Sequence, residues 1–212
     1  MMTGKFIAFE GGEGTGKSTQ AKLLAEYLHG RGIACRLTRE PGGTEGAEAI
    51  RELLLHPPGE GWGARAEALL FAAARSDHVE KLIRPAVQSG EWVISDRYLD
   101  SSRAYQGGAG GIGDDHVLAL HDIGSDGLKP DLTILIDVPP QQVASRLALR
   151  DGDNSDAIGG RSADYHADVT AAFREIVAKE PARFSIVNGE GSVDDVQSRV
   201  KAAIAPLFGE LA

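Results

Sequence analysis

A three-layer α/β domain on a parallel sheet is the architecture this sequence predicts, and two patterns carry the prediction. Short apolar runs at residues 6–9, 33–38, 92–95, 132–137 and 184–188 alternate with longer amphipathic segments. Several runs are continuously apolar, the pattern of strands buried on both faces. The intervening segments carry the helical period. Ala21, Leu24, Ala25 and Leu28 recur at i, i+3, i+4 and i+7, and Val193, Val196, Val200, Ala203, Ile204 and Leu207 form a second stripe. Strands alternating with helices place helices on both faces of the sheet.

At 212 residues the chain is long enough for one complete core. No linker rich in Pro, Ser or charge and no internal repeat divides it, so residues 1–212 read as a single domain. The formal net charge of −9 argues against a protein that tracks long nucleic acid. It does not exclude nucleotides, because a few local arginines make a positive pocket on an acidic protein. Cys35 is the only cysteine, so no intrachain disulfide forms, which suits a reducing compartment. The apolar stretch at 6–9 is too short for a signal-peptide core. No run approaches the roughly 20 apolar residues that span a bilayer. The expectation is a soluble, cytoplasmic protein with no nucleic-acid or membrane partner. His56, His78, His116, His121 and His166 show no metal-ligand spacing.

The strongest local signal follows the first strand directly. Gly11-Gly12-Glu13-Gly14-Thr15-Gly16-Lys17-Ser18 fits G-x-x-x-x-G-K-[ST] and, with Thr19, opens the first helix. Glycines let successive backbone N–H groups curl around phosphate oxygens, and the helix N-terminus adds a favourable dipole. Residues 11–19 are therefore ATP-binding candidates, with Lys17 reaching the β- and γ-phosphates and Ser18 ligating Mg²⁺. This P-loop does not by itself choose among kinases, GTPases and ATPases. The guanine-reading sequence Asn-Lys-x-Asp is absent. A small chain with a Gly-, Asp- and Ser-rich segment at 151–161, between helical patterns at 140–150 and 163–179, points to phosphate transfer under a lid. A second glycine-rich segment, 106–115, reads as a mobile loop.

Three further motifs end successive strands or open the segments after them. They are Thr38-Arg39-Glu40-Pro41-Gly42-Gly43-Thr44, followed by a helix carrying Arg51; Phe71-Ala72-Ala73-Ala74-Arg75; and Asp96-Arg97-Tyr98, running on through Ser102 and Tyr105 to Gln106-Gly107. A parallel sheet brings such motifs to one edge, the crevice beyond the strand C-termini.

These motifs, in this order and spacing, resemble the bacterial thymidylate kinases. The resemblance implies a three-layer αβα P-loop kinase fold with a parallel five-stranded sheet and a lid at about 150–162. It implies ATP and thymidine monophosphate as substrates, Mg²⁺ as cofactor, and a homodimer. Arg51 and Arg97 hold the acceptor phosphate, for which a guanidinium fork is suited. Phe71 stacks on the pyrimidine and Arg75 donates to its O4. Ser102, Tyr105 and Gln106 complete the base and sugar contacts, and Glu13 sits near sugar and metal. Asp96 helps position Mg²⁺, and Arg146 flanks the adenine.

The acceptor is a phosphate monoester with a second pKa of around 6, already nucleophilic at neutral pH, so alignment and charge neutralisation suffice. Glu40-Pro41 stays ambiguous, because related deoxynucleoside kinases use a Glu-Pro carboxylate as base. A P-loop nucleotide switch is a second alternative. In the resembling enzymes without a P-loop arginine, a lid arginine stabilises the transferring phosphoryl group. Here Ala157 stands at the usual position, and Arg161, or else Arg150, is expected to substitute.

Overall fold

The computed structural model describes residues 4–151 and 157–209, without the side chains of residues 144 and 147–151. Five strands form one parallel sheet: β1 (Phe6–Glu10), β2 (Cys35–Arg39), β3 (Trp92–Asp96), β4 (Leu132–Asp137) and β5 (Phe184–Asn188), in the order β2-β3-β1-β4-β5. The helices are α1 (Lys17–Gly30), α2 (Glu45–Leu55), α3 (Ala64–His78), α4 (Arg84–Gln88), α5 (Leu99–Ser102), α6 (Asp114–Ser125), α7 (Pro140–Asp151), α8 (Ala163–Lys179) and α9 (Val193–Phe208).

Strand periodicity explains the layers. In β1, Ile7 and Phe9 pack with Leu24, Leu28, Val200 and Ile204 of α1 and α9. Phe6 and Ala8 face the other way, toward Val79, Ile83, Leu99 and Val117. Both faces of the central strand are therefore dry, and the run is continuously apolar. Leu135 of β4 meets Val169, Phe173 and Ile176 of α8 in a third cluster. The edge strand β2 is half solvated, with Leu37 46% exposed, and Cys35 opens it, partly buried against the core.

Two sequence expectations change in shape. The apolar helix around 66–86 is α3 and α4 joined through a π-helical turn at Val79–Ile83. The glycine-rich segment at 106–115 is not a free loop: Arg103–Ala109 continues α5 as a π-helical stretch, and a turn then leads into α6. Close packing selects the glycine at 108, where a Cβ would stand 2.6 Å from the Cβ of Ala172 on α8.

The central pair β1 and β3 positions the chemistry. Phe9 lies in register with Asp96, so the P-loop after β1 and the Asp96-Arg97 pair after β3 emerge side by side.

Candidate active site

At this edge lies a cavity of about 660 Å³. Five arginines (39, 51, 75, 97 and 146) and Lys17 line it, together with the carboxylates of Glu13, Glu40 and Asp96. A protein of net charge −9 thus keeps a locally cationic cleft.

One end is the P-loop. Gly11, Gly14 and Gly16 adopt φ of 138°, 70° and 96°, open to glycine and strained for other residues. A Cβ on Gly11 would also meet the Ile136 carbonyl at 2.7 Å. Thr15 Oγ1 and Lys17 Nζ donate to the Gly12 carbonyl at 3.0 and 2.6 Å. Burial first, then the neighbouring charge of Arg97, lowers the Lys17 ammonium to about 8. Burial and Arg97 outweigh the nearby carboxylates of Glu13, Asp96 and Glu10, and a polyphosphate would add counter-charge.

The middle is organised around Arg97, which adopts a left-handed backbone (φ 69°) just after β3. Its guanidinium donates to the Gly11 carbonyl at 3.1 Å, Ser101 Oγ at 3.0 Å, Glu13 Oε1 at 2.5 Å and the Tyr105 hydroxyl at 3.3 Å. Buried Glu10 fixes the turn, accepting from the backbone N–H of Tyr98 and of Ser101 and from the Ser101 hydroxyl. Arg51 donates to the Pro41 carbonyl at 2.7 Å.

The far end is built on α3. Arg75 is 3% exposed and donates through Nε to Glu40 Oε2 at 2.7 Å and through Nη2 to the Tyr98 carbonyl and Ser102 Oγ. No hydrogen bond engages its Nη1 among the described residues. His78 faces the other Glu40 oxygen at 3.0 Å. Burial alone would raise the Glu40 carboxyl, but Arg75 and His78 outweigh it and hold it below the usual range. Gln106 donates through Nε2 to Glu67 Oε1 at 2.8 Å, and its Oε1 is buried without a hydrogen-bond partner among the described residues. This end thus offers a guanidinium donor and an amide acceptor.

The Mg²⁺ implied by the sequence has a fitting donor set. Ser18 donates to Asp96 Oδ2, and Asp96 Oδ1 is buried with no partner among the described residues. One hydroxyl and one carboxylate suit a cation that keeps waters and takes its remaining ligands from substrate phosphates. No group of three or more His, Cys, Asp or Glu placed to hold a metal ion occurs among the described residues.

This geometry can be set beside known proteins. The sequence model of the thymidylate kinase family matches residues 9–200. A protein named thymidylate kinase from Rhizorhabdus wittichii is 54% identical over 207 residues, covering 98% of this chain and all of that one. Thymidylate kinases from two strains of Rhodopseudomonas palustris, TIE-1 and BisB18, are 45% and 47% identical. The matches cover 96% and 95% of this chain and 89% and 88% of those proteins. The chain belongs to the thymidylate kinase family. It is therefore an enzyme, a nucleotide-biosynthetic phosphotransferase on the αβα P-loop fold.

Most of the residues singled out from the sequence as thymidylate kinase site residues meet in this one cavity. Its walls include Glu13, Gly14, Gly16, Lys17, Ser18 and Thr19 from the donor set, and Arg51, Phe71, Arg75, Arg97, Ser102, Tyr105 and Gln106 from the acceptor set. Gly11, Gly12 and Thr15 shape the loop behind them. Arg146 bridges the Thr15 carbonyl at 3.3 Å and the Gly189 carbonyl at 2.9 Å, joining the P-loop to the turn after β5. Arg161 is not among the wall residues: it pairs with Glu67 and donates to the Tyr165 hydroxyl at 2.5 Å. The side chain of Arg150 lies outside the described residues, as do lid residues 152–156.

Sequence reasoning did not single out Arg39 and Ser101 of the cavity wall, nor Glu10 and Glu67, which hydrogen-bond to the wall residues Ser101 and Gln106. Glu67 had a usable signal: it precedes Phe71 and Arg75 by four and eight residues, on one helix face. Glu10 and Ser101 act through the backbone turn they hold, which no side-chain motif announces.

Proposed function

We propose that this chain transfers the γ-phosphoryl group of ATP to thymidine monophosphate, with Mg²⁺ as cofactor, giving ADP and thymidine diphosphate. The observation that carries the reading is the Arg75 donor beside the Gln106 acceptor at the end of the cavity away from the P-loop. Thymine presents a carbonyl at O4 next to an N3–H, and both find a partner there. Cytosine reverses both groups. Phe71, which also lines this end, stacks on the ring.

Arg51 and Arg97 hold the acceptor phosphate, whose own oxygen attacks. The bond from that oxygen to the γ-phosphorus forms as the bond to the β-bridging oxygen breaks, and ADP leaves with the electron pair. Lys17 and the P-loop amides neutralise the charge on the donor phosphates. Ser18 and Asp96 would hold Mg²⁺, which when bound draws charge from the phosphate oxygens. Glu40 is poorly suited to be a base, since its carboxylate is held in the ionised range by two partners. That favours a phosphate acceptor over a nucleoside hydroxyl.

The whole chain acts as one kinase domain with its lid at about 150–162. Ile158 reaches the cavity wall from the lid. With Arg161 held by Glu67, Arg150 is the lid arginine we assign to charge stabilisation in the transition state. Leu53, Leu69 and Ile123 are exposed on α2, α3 and α6, which pack in sequence, and a second copy covers them in a homodimer. No helix among the described residues is long and apolar enough to cross a membrane. The reading places the enzyme in the cytoplasm, beside its ATP and thymidine monophosphate substrates.

The test is ADP release with ATP and Mg²⁺ across an acceptor panel of thymidine monophosphate, other monophosphates and free thymidine. Selective turnover with thymidine monophosphate is expected. Turnover with free thymidine alone would make Glu40 a base and discard the acceptor-phosphate assignments.

A further inference from the structure

We propose that Glu67 is the positioning residue that decides which face of the Gln106 amide reads the pyrimidine, and that Arg161 at the root of the lid fixes Glu67 in that role. The proposal rests on the base reading above and extends it to two residues outside the cavity wall.

An amide presents nitrogen or oxygen to a ligand depending on a 180° rotation that costs little by itself. At Gln106 the choice is made by what lies behind it. Glu67 accepts through Oε1 from Gln106 Nε2 at 2.8 Å and through Oε2 from Arg161 Nη2. A carboxylate accepting on both oxygens has no donor to offer. Rotating the Gln106 amide would set its carbonyl against Glu67, two acceptors facing in a buried site, so the nitrogen stays behind and Oε1 faces away from Glu67. Gln106 is 3% exposed and lines the cavity, and this Oε1 is the atom left without a partner among the described residues. It is thereby an acceptor, matched to N3–H of thymine or uracil and mismatched to N3 of cytosine.

Arg161 supplies the counter-charge that a carboxylate this buried requires; the Glu67 side chain is 11% exposed. It is itself held. Its guanidinium lies over the Tyr165 ring at 4.6 Å and donates to that hydroxyl, which donates on to the Tyr105 carbonyl at 2.8 Å. The start of α8 is thus tied to the residue preceding Gln106 and, through Glu67, to the Gln106 side chain.

The experiment compares kcat/KM for thymidine, deoxyuridine and deoxycytidine monophosphates in the wild type, Glu67→Gln, Gln106→Ala and the double variant Glu67→Gln with Gln106→Glu. In Glu67→Gln the amide at 106 is free to rotate, and the preference for thymidine over deoxycytidine monophosphate falls by roughly 10- to 100-fold. The preference for thymidine over deoxyuridine monophosphate is unchanged, since both bases carry N3–H. In the double variant the amide now at position 67 donates to one oxygen of the carboxylate now at position 106. The other oxygen is left facing the cavity, so the preference recovers. Arg161→Met, a substitution at a side chain 27% exposed, shifts the same ratio in the same direction and replaces Glu67→Gln if that variant fails to fold. Equal losses on all three acceptors in Glu67→Gln would overturn the proposal, as damage to packing predicts that result. If Gln106→Ala also leaves the ratio intact, the base reading itself fails. A ratio that collapses in Gln106→Ala but holds in Glu67→Gln removes only the role of Glu67.

Discussion

Arg97 donates to Glu13 Oε1 at 2.5 Å and to Ser101 Oγ at 3.0 Å, so one side chain ties the end of β3 to the P-loop and to the helix bearing Tyr105 and Gln106. Its position depends on a left-handed backbone that Glu10 braces. Arg97→Ala is expected to lower kcat/KM for thymidine monophosphate by on the order of 1000-fold. Arg97→Lys should restore little of it, because a single ammonium cannot span these partners. Steady-state kinetics checks this, with thermal melts to separate lost function from lost fold.

The Lys17 ammonium sets a pH dependence. Its folded value of about 8 lies below the ordinary 10.5, so below pH 8 the protein carries a desolvated charge at a cost to stability. That penalty disappears as pH rises through 8 toward 10.5. Bound phosphates reverse the sign by supplying counter-charge, so ATP binding near pH 8 takes up a proton. Calorimetry in buffers of different ionisation enthalpy should record this uptake, and Lys17→Met should abolish it. Zero uptake in the wild type would contradict the assignment.

Gly108 tests the contact between the acceptor-site helix and α8. An added methyl meets Ala172 Cβ at 2.6 Å, and the backbone on both sides is helical. Gly108→Ala should destabilise the fold by about 1–3 kcal/mol. The KM for thymidine monophosphate should also rise, because Tyr105 and Gln106 shift with the helix. Denaturant unfolding and acceptor kinetics measure the two effects.

The two lid arginines are separable by what they change. Arg150→Ala is expected to lower kcat for thymidine and deoxyuridine monophosphates in equal proportion, as loss of transition-state charge stabilisation does. Arg161→Ala is expected to alter the thymidine to deoxycytidine monophosphate ratio instead. Exchange of these outcomes would return the charge-stabilising role to Arg161, the position the sequence favours.

The five strands and the P-loop were legible because each is a local pattern: continuous apolar runs for strands buried on both faces, and a fixed glycine spacing for the loop. Arg51, Phe71, Arg75 and Arg97 were legible as a family constellation, which the parallel sheet gathers at one edge. What the sequence hid depends on tertiary contact. The glycines at 107 and 108 read as loop punctuation, yet they lie in a helical stretch that packs closely against neighbouring elements. Arg161 read as the lid arginine that stabilises the transferring group, and nothing local in the sequence announced its pairing with Glu67, ninety-four positions away. Glu40, ambiguous as a base, is bound on both oxygens by Arg75 and His78, a geometry invisible until α3 packs beside β2.

The central claim, that the acceptor is a nucleotide phosphate, is tested most directly by following the label from γ-³²P-ATP. With thymidine monophosphate present, the label should appear at the β-phosphate of thymidine diphosphate, in step with ADP. Label recovered in thymidine monophosphate from free thymidine, or only in inorganic phosphate whatever the acceptor, would contradict it.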